Sequence, residues 1–114
     1  MMSEYDVVVE HIERQPGVLG AMLVGMDDGM VIARTDGLGE NWEPAAALAS
    51  SLFRKARQAA DDAGLGAASF VRLEAVRGHV CATARDDKVI VAVTNRKTNL
   101  GRLRLEMLSA AEQI

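Results

Sequence analysis

The chain has 114 residues, 49% hydrophobic and 25% charged, which bounds it to one domain around one core and argues against wholesale disorder. A net charge of −3 speaks against a nucleic-acid or anionic-membrane partner, because both draw on a net positive face. Aromatics are only 4%, namely Tyr5, Trp42, Phe53 and Phe70, so the core is built from aliphatic side chains and offers few stacking platforms for bases.

The opening MMSEYD is acidic and no apolar segment follows it, so no secretory signal is expected. No run approaches the ~18 apolar residues of a membrane span, so no membrane insertion is expected. The single cysteine, Cys81, excludes an intrachain disulfide and fits a reducing, cytoplasmic compartment.

Residues 3–14 read as a first helix, with Tyr5, Val8, Val9 and Ile12 at helical spacing and Ser3 and Asp6 as a capping pair. Gln15-Pro16-Gly17 ends it. Residues 19–27 are apolar at both parities, the pattern of a central strand covered on both faces. Asp28-Gly29 predicts a two-residue hairpin into a return strand at 30–34. Residues 35–42 read as a loop. A second helix opens at Glu43-Pro44 and closes near Ala63, before Gly64 and Gly66. Strands at 67–75, 79–85 and 88–94 are joined by turns short enough to make them antiparallel neighbours. A last helix starts at Thr98 or Asn99, with Leu100, Leu103, Met107 and Ala111 on one face. The fold class is therefore α/β (α+β): a three-layer sandwich with helices on both faces of a five-stranded, mostly antiparallel sheet. It forms a single domain over residues 1–114.

No stretch carries a persuasive catalytic constellation, and no cofactor or metal is expected. Gly20 and Gly25 have phosphate-loop spacing, but Met26-Asp27 replaces the required lysine and hydroxyl, and the stretch reads as a strand against which a helix packs closely. Gly37 and Gly39 lack the third glycine of a dinucleotide fingerprint. His11 reads as a solvated surface residue. His79 shares parity with Cys81, but two ligands do not fill a zinc site, and a strand cysteine between Val80 and Ala82 reads as inert core. The acidic pairs at Asp27-Asp28, Asp61-Asp62 and Asp86-Asp87 read as turn and helix-end chemistry.

The second helix is more informative. Its apolar arc runs through Leu48, Ala59, Leu52, Ala45, Ala63, Ala56, Ala49, Ala60, Phe53 and Ala46, and spans roughly 160° against the ~100° that covers one sheet face. Two readings compete: alanine, the best helix former, fills neutral positions, or the surplus apolar face admits a second copy's helix. The interspersed Leu and Phe favour the second copy. The third strand opens with few charges and no proline, an unguarded edge suited to pairing. The expected homodimer interface is Ala45, Ala49, Leu52, Phe53, Ala56 and Ala60 with Phe70, Val71 and Arg72.

Pro16-Gly17-Val18-Leu19-Gly20-Ala21, then Asp28-Gly29-Met30-Val31-Ile32-Ala33, the alanine-rich helix and Asn99-Leu100-Gly101-Arg102-Leu103-Arg104 stand in an order that resembles the Roadblock/LC7 domain family along nearly the whole chain, with bacterial MglB-like members most similar in size. The resemblance implies a profilin-like sandwich with strand order 2-1-5-4-3, the second helix on one face and the others opposite. It also implies dimers joined through the second helix and third strand. The implied partner is a small Ras-like (MglA-type) GTPase, docked across paired second helices and activated or scaffolded without an arginine from the regulator. Trp42, Ser51, Arg54, Lys55, Arg57 and Gln58 are the GTPase-binding candidates, Trp42 reading equally as a partner anchor or as a staple on its own helix. A scaffold or adaptor dimer without effect on GTP hydrolysis and a small ligand-sensing domain are the alternatives.

Overall fold

Helix α1 (Glu4–Glu13) begins where Ser3 and Asp6 form a reciprocal capping box: the Ser3 hydroxyl accepts from the Asp6 amide and the Asp6 carboxylate accepts from the Ser3 amide. The computed structural model describes residues 2–114. After α1 come β1 (Val18–Gly25), β2 (Val31–Arg34), a short 3-10 turn (Gly39–Asn41), α2 (Trp42–Asp62), β3 (Val71–Ala75), β4 (Gly78–Arg85), β5 (Lys88–Asn95) and α3 (Leu100–Ala111). The strands form one antiparallel sheet in the order β2-β1-β5-β4-β3.

The alternation of side chains along each strand builds two cores. Ala21 and Leu23 of β1, Cys81 of β4, and Ile90 and Ala92 of β5 face α1 and α3, which contribute Val9, Ile12, Leu103 and Met107. Met22, Val24, Ala82, Val89 and Val91 face α2, which contributes Ala46, Ala49 and Phe53. Both faces of the central strands are covered, as their continuous apolar runs require.

Helix α2 stops because Gly64 adopts φ +72°, a left-handed conformation that only glycine reaches without strain. The Leu65 amide then donates to the Ala60 carbonyl at 2.9 Å and the Gly64 amide to Asp61 at 3.0 Å, a Schellman closure. Asn99 caps α3 by accepting from the Arg102 amide at 3.0 Å.

Three local expectations are corrected. Asp28-Gly29 does not close a two-residue turn. The Met26 amide donates to the Asp87 carbonyl at 2.8 Å, extending β1 toward the β4–β5 turn, so residues 26–30 form the loop and the Asp28 carboxylate accepts from the Met30 amide at 2.9 Å. The third strand begins at Val71 rather than at 67. Beyond the Val71–Ala82 pair the Thr83 hydroxyl, not a backbone amide, takes the Ser69 carbonyl at 2.7 Å, and the ladder ends. Gly20 makes room for the Leu38 side chain of the β2–α2 loop, not for a helix.

Candidate functional site

Helix α2 carries most of the residues expected to function, and the sheet beneath divides them into three groups. The first is core. Ala49 and Phe53 are 0% exposed and pack on the chain's own sheet, so the dimer expectation is corrected there: neither offers surface to a second copy. Ser50 is buried too, its hydroxyl donating to the Ala47 carbonyl at 3.2 Å.

The second group lies on the flank of α2 toward β3. Leu48 remains 43% exposed, Ala59 is exposed, and Ala45, Leu52, Ala56 and Ala60 are half-buried. Val71 and Leu73 are half-buried on the same face of β3, since Val71 joins the α2-side cluster and Leu73 shares its parity. Strand β3 is an edge, hydrogen-bonded only to β4. Phe70 and Arg72 do not join this surface. Phe70 lies outside β3 and packs toward α3, with the Arg104 guanidinium 5.7 Å from its ring centroid, and Arg72 opposes Cys81 on the α3 side.

The third group is polar. Ser51, Lys55 and Gln58 sit on the face of α2 away from the sheet, where Gln58 donates to the Asp62 carboxylate at 2.9 Å. Arg54 and Arg57 turn instead toward the β1–β2 loop. Arg54 Nη1 donates to the Met26 carbonyl at 2.6 Å and to Asp27 at 3.3 Å, while Arg57 Nη1 lies 3.2 Å from the Met26 sulfur. Trp42 is the first residue of α2; its ring packs against the α2-side core, with the Arg34 guanidinium 4.6 Å from its centroid. The GTPase-binding candidates on α2 are thus divided between two surfaces.

Elsewhere, burial pushes the Cys81 thiol up to about 11, the nearby Arg72 offsetting little of that, so it stays a thiol rather than a nucleophilic thiolate at neutral pH. His79 is buried on the same face, with Nε2 3.3 Å from Glu74 and Nδ1 3.4 Å from the Thr94 hydroxyl. His11, read from the sequence as merely solvated, meets Glu106 at 2.9 Å and bridges α1 to α3. Among the described residues no group of three or more His, Cys, Asp or Glu side chains is arranged to hold a metal ion, and no helix is long and apolar enough to cross a membrane.

The family model described as the Roadblock/LC7 domain matches residues 4–95. The chain belongs to this family. This Roadblock/LC7 chain is 32% identical over 109 residues to an uncharacterized protein of Methanocaldococcus jannaschii, the match covering 96% of this chain and 95% of the relative. Its fold is that of a Roadblock/LC7 domain from Streptomyces avermitilis (TM-score 0.86, 23% identity, 97% and 94% of the two chains covered). Myxococcus xanthus MglB has the same fold (TM-score 0.86, 17% identity, 98% and 92% covered). Profilin IB of Acanthamoeba castellanii shares the sandwich more distantly (TM-score 0.62, 20% identity, 96% and 94% covered).

Proposed function

We propose that this chain is a homodimeric regulator of a small Ras-like GTPase, pairing through the β3-side flank of α2 and docking its partner across the two helices. The observation that carries this reading is the apolar flank itself: Leu48 and Ala59 are exposed and Leu52 is half-buried on α2, Val71 and Leu73 are half-buried on the same side of the sheet, and β3 is an open edge, which leaves more apolar surface than the chain's own sheet covers. A two-fold axis there buries the flank against itself and joins the β3 edges. Ser51 and Lys55 on each α2 then face outward and offer polar contacts to the GTPase.

Arg54 and Arg57 are engaged with the β1–β2 loop, which favours activation by repositioning the GTPase's own groups over an arginine inserted in trans. The test is GTP turnover by a purified small Ras-like GTPase, with and without the purified protein. Faster turnover that Lys55→Glu reduces supports the proposal; binding with unchanged turnover replaces it with a scaffold dimer, and no binding removes both.

A further inference from the structure

The other flank of α2 borders an open groove of about 550 Å³, walled by the β1–β2 loop and β2 on one side and the first turns of α2 on the other. Strand β2 is the second edge of the sheet, hydrogen-bonded only to β1. The Thr35 amide donates to Ala21 and the Gly25 amide to Met30. The ladder shifts register between Leu23 and Val24, leaving Ile32 as the extra residue, so the non-bonded pairs on either side of this bulge, Arg34 opposite Met22 and Val31 opposite Val24, direct their N–H and C=O groups to the open side. Residues 30–33 carry no charge to guard this edge, and Met30 and Ile32 are 68% and 45% exposed.

Helix α2 runs alongside. Trp42 meets Arg34 at one end of β2, and Ser50 lies against Gly29 just before the other. A strand added to β2 therefore lies along the groove, with alternate side chains entering between Val31 and Ala46. The charges in the groove select the occupant. Asp27, Asp28 and Glu43 are exposed at its walls, while Arg54, the one cation among the described residues that line it, is held by backbone carbonyls.

We propose that the β2 edge and this groove form a docking site for an extended segment of a partner protein in which lysine or arginine alternates with small apolar residues, bound by strand addition. A second copy is the poorer occupant, because an isologous β2–β2 pair brings two sets of the same carboxylates together. The site goes beyond the proposed GTPase regulation and does not depend on it: Leu48, Leu52, Ser51, Lys55 and Gln58 lie outside the groove, although Trp42 and Arg54 line it.

The probe is a capped heptapeptide alternating lysine and valine, titrated into the intact chain and read by fluorescence anisotropy and amide chemical shifts. The short edge predicts saturable binding with a Kd on the order of 10–100 μM. Shifts are expected at the Val31 and Arg34 amides and the Trp42 indole. Combining Asp27→Asn with Glu43→Gln is expected to weaken binding about fivefold, since both carboxylates are exposed. N-methylation of the peptide bonds facing β2 is expected to weaken it about tenfold by removing backbone donors. Equal binding of a glutamate–valine peptide, undiminished binding after N-methylation, shifts confined to Leu48 and Leu52, or no saturation by millimolar peptide overturns the proposal. Concentration-dependent protection of the Val31 and Arg34 amides without peptide assigns the edge to a second copy and overturns it as well.

Discussion

Replacing Leu48 with glutamate separates the surface of α2 from its core more sharply than any change at Ala49. Leu48 is 43% exposed, whereas Ala49 beside it is 0% exposed against the sheet. Full burial of a leucine contributes about 1.5–3 kcal/mol, so the part of Leu48 left to a partner contributes roughly 0.6–1.2 kcal/mol per copy. A two-fold axis counts that twice and adds the desolvation and mutual repulsion of two carboxylates, for a total of about 2–4 kcal/mol. The dimer dissociation constant should rise roughly 30- to 700-fold. The isolated subunit should lose no more than about 0.5 kcal/mol, because the site is on its surface. Light scattering against concentration measures the first quantity and urea unfolding of the dilute, monomeric protein the second. A wild-type chain that is monomeric at micromolar concentration, or a Leu48→Glu variant that dimerises as tightly as wild type, refutes the assignment of this flank. Ala49→Glu is uninformative, since a buried unpaired carboxylate unfolds the subunit before any dimer is tested.

Phe53 is the one large side chain that α2 buries completely, packed among Met22, Val24, Val89 and Val91, so Phe53→Ala should cost about 3–5 kcal/mol in urea unfolding; a loss under ~1 kcal/mol contradicts the α2-side core. Ser3→Ala removes the hydroxyl half of the α1 capping box and should cost about 1 kcal/mol, seen as a lower thermal midpoint. Cys81 should resist a thiol-specific disulfide reagent at pH 8 in the folded protein and react freely in denaturant, because burial holds the thiol near 11 instead of its ordinary 9.0. The same shift makes stability fall as pH rises: above about 9 the unfolded chain has released a proton that the folded chain keeps up to about 11. A Cys81→Ala variant should show a flatter decline across that window.

Much of the fold was legible because its signals are local. The Ser3–Asp6 box, the glycine after Ala63 and Asn99 before the last helix each satisfy backbone groups within a few residues, so their meaning does not depend on the rest of the chain. The double-sided apolar run of β1 likewise required helices on both faces. The Asp28-Gly29 turn failed for a non-local reason: the Met26 amide is claimed by Asp87, which lies beside it only once β1 and β5 have paired. The third strand was shortened by Thr83 of its neighbour.

The candidate site shows the same division. Sequence periodicity alone determined that α2 has an apolar arc too wide for one sheet face, and this is a property of the helix whatever lies beneath it. Only the tertiary structure decided which part of that arc is spare. Phe53 and Ala49 turn to the sheet, while Leu48 stays exposed and Leu52 half-buried. The same placement set Arg54 and Arg57 against the β1–β2 loop, apart from Ser51, Lys55 and Gln58, and left β2 as an open edge beside a groove. The rotation of a helix about its axis is set by the side chains it meets, and those come from strands far away in sequence. A helical period reveals how wide an apolar face is; packing determines where that face ends and a surface for partners begins.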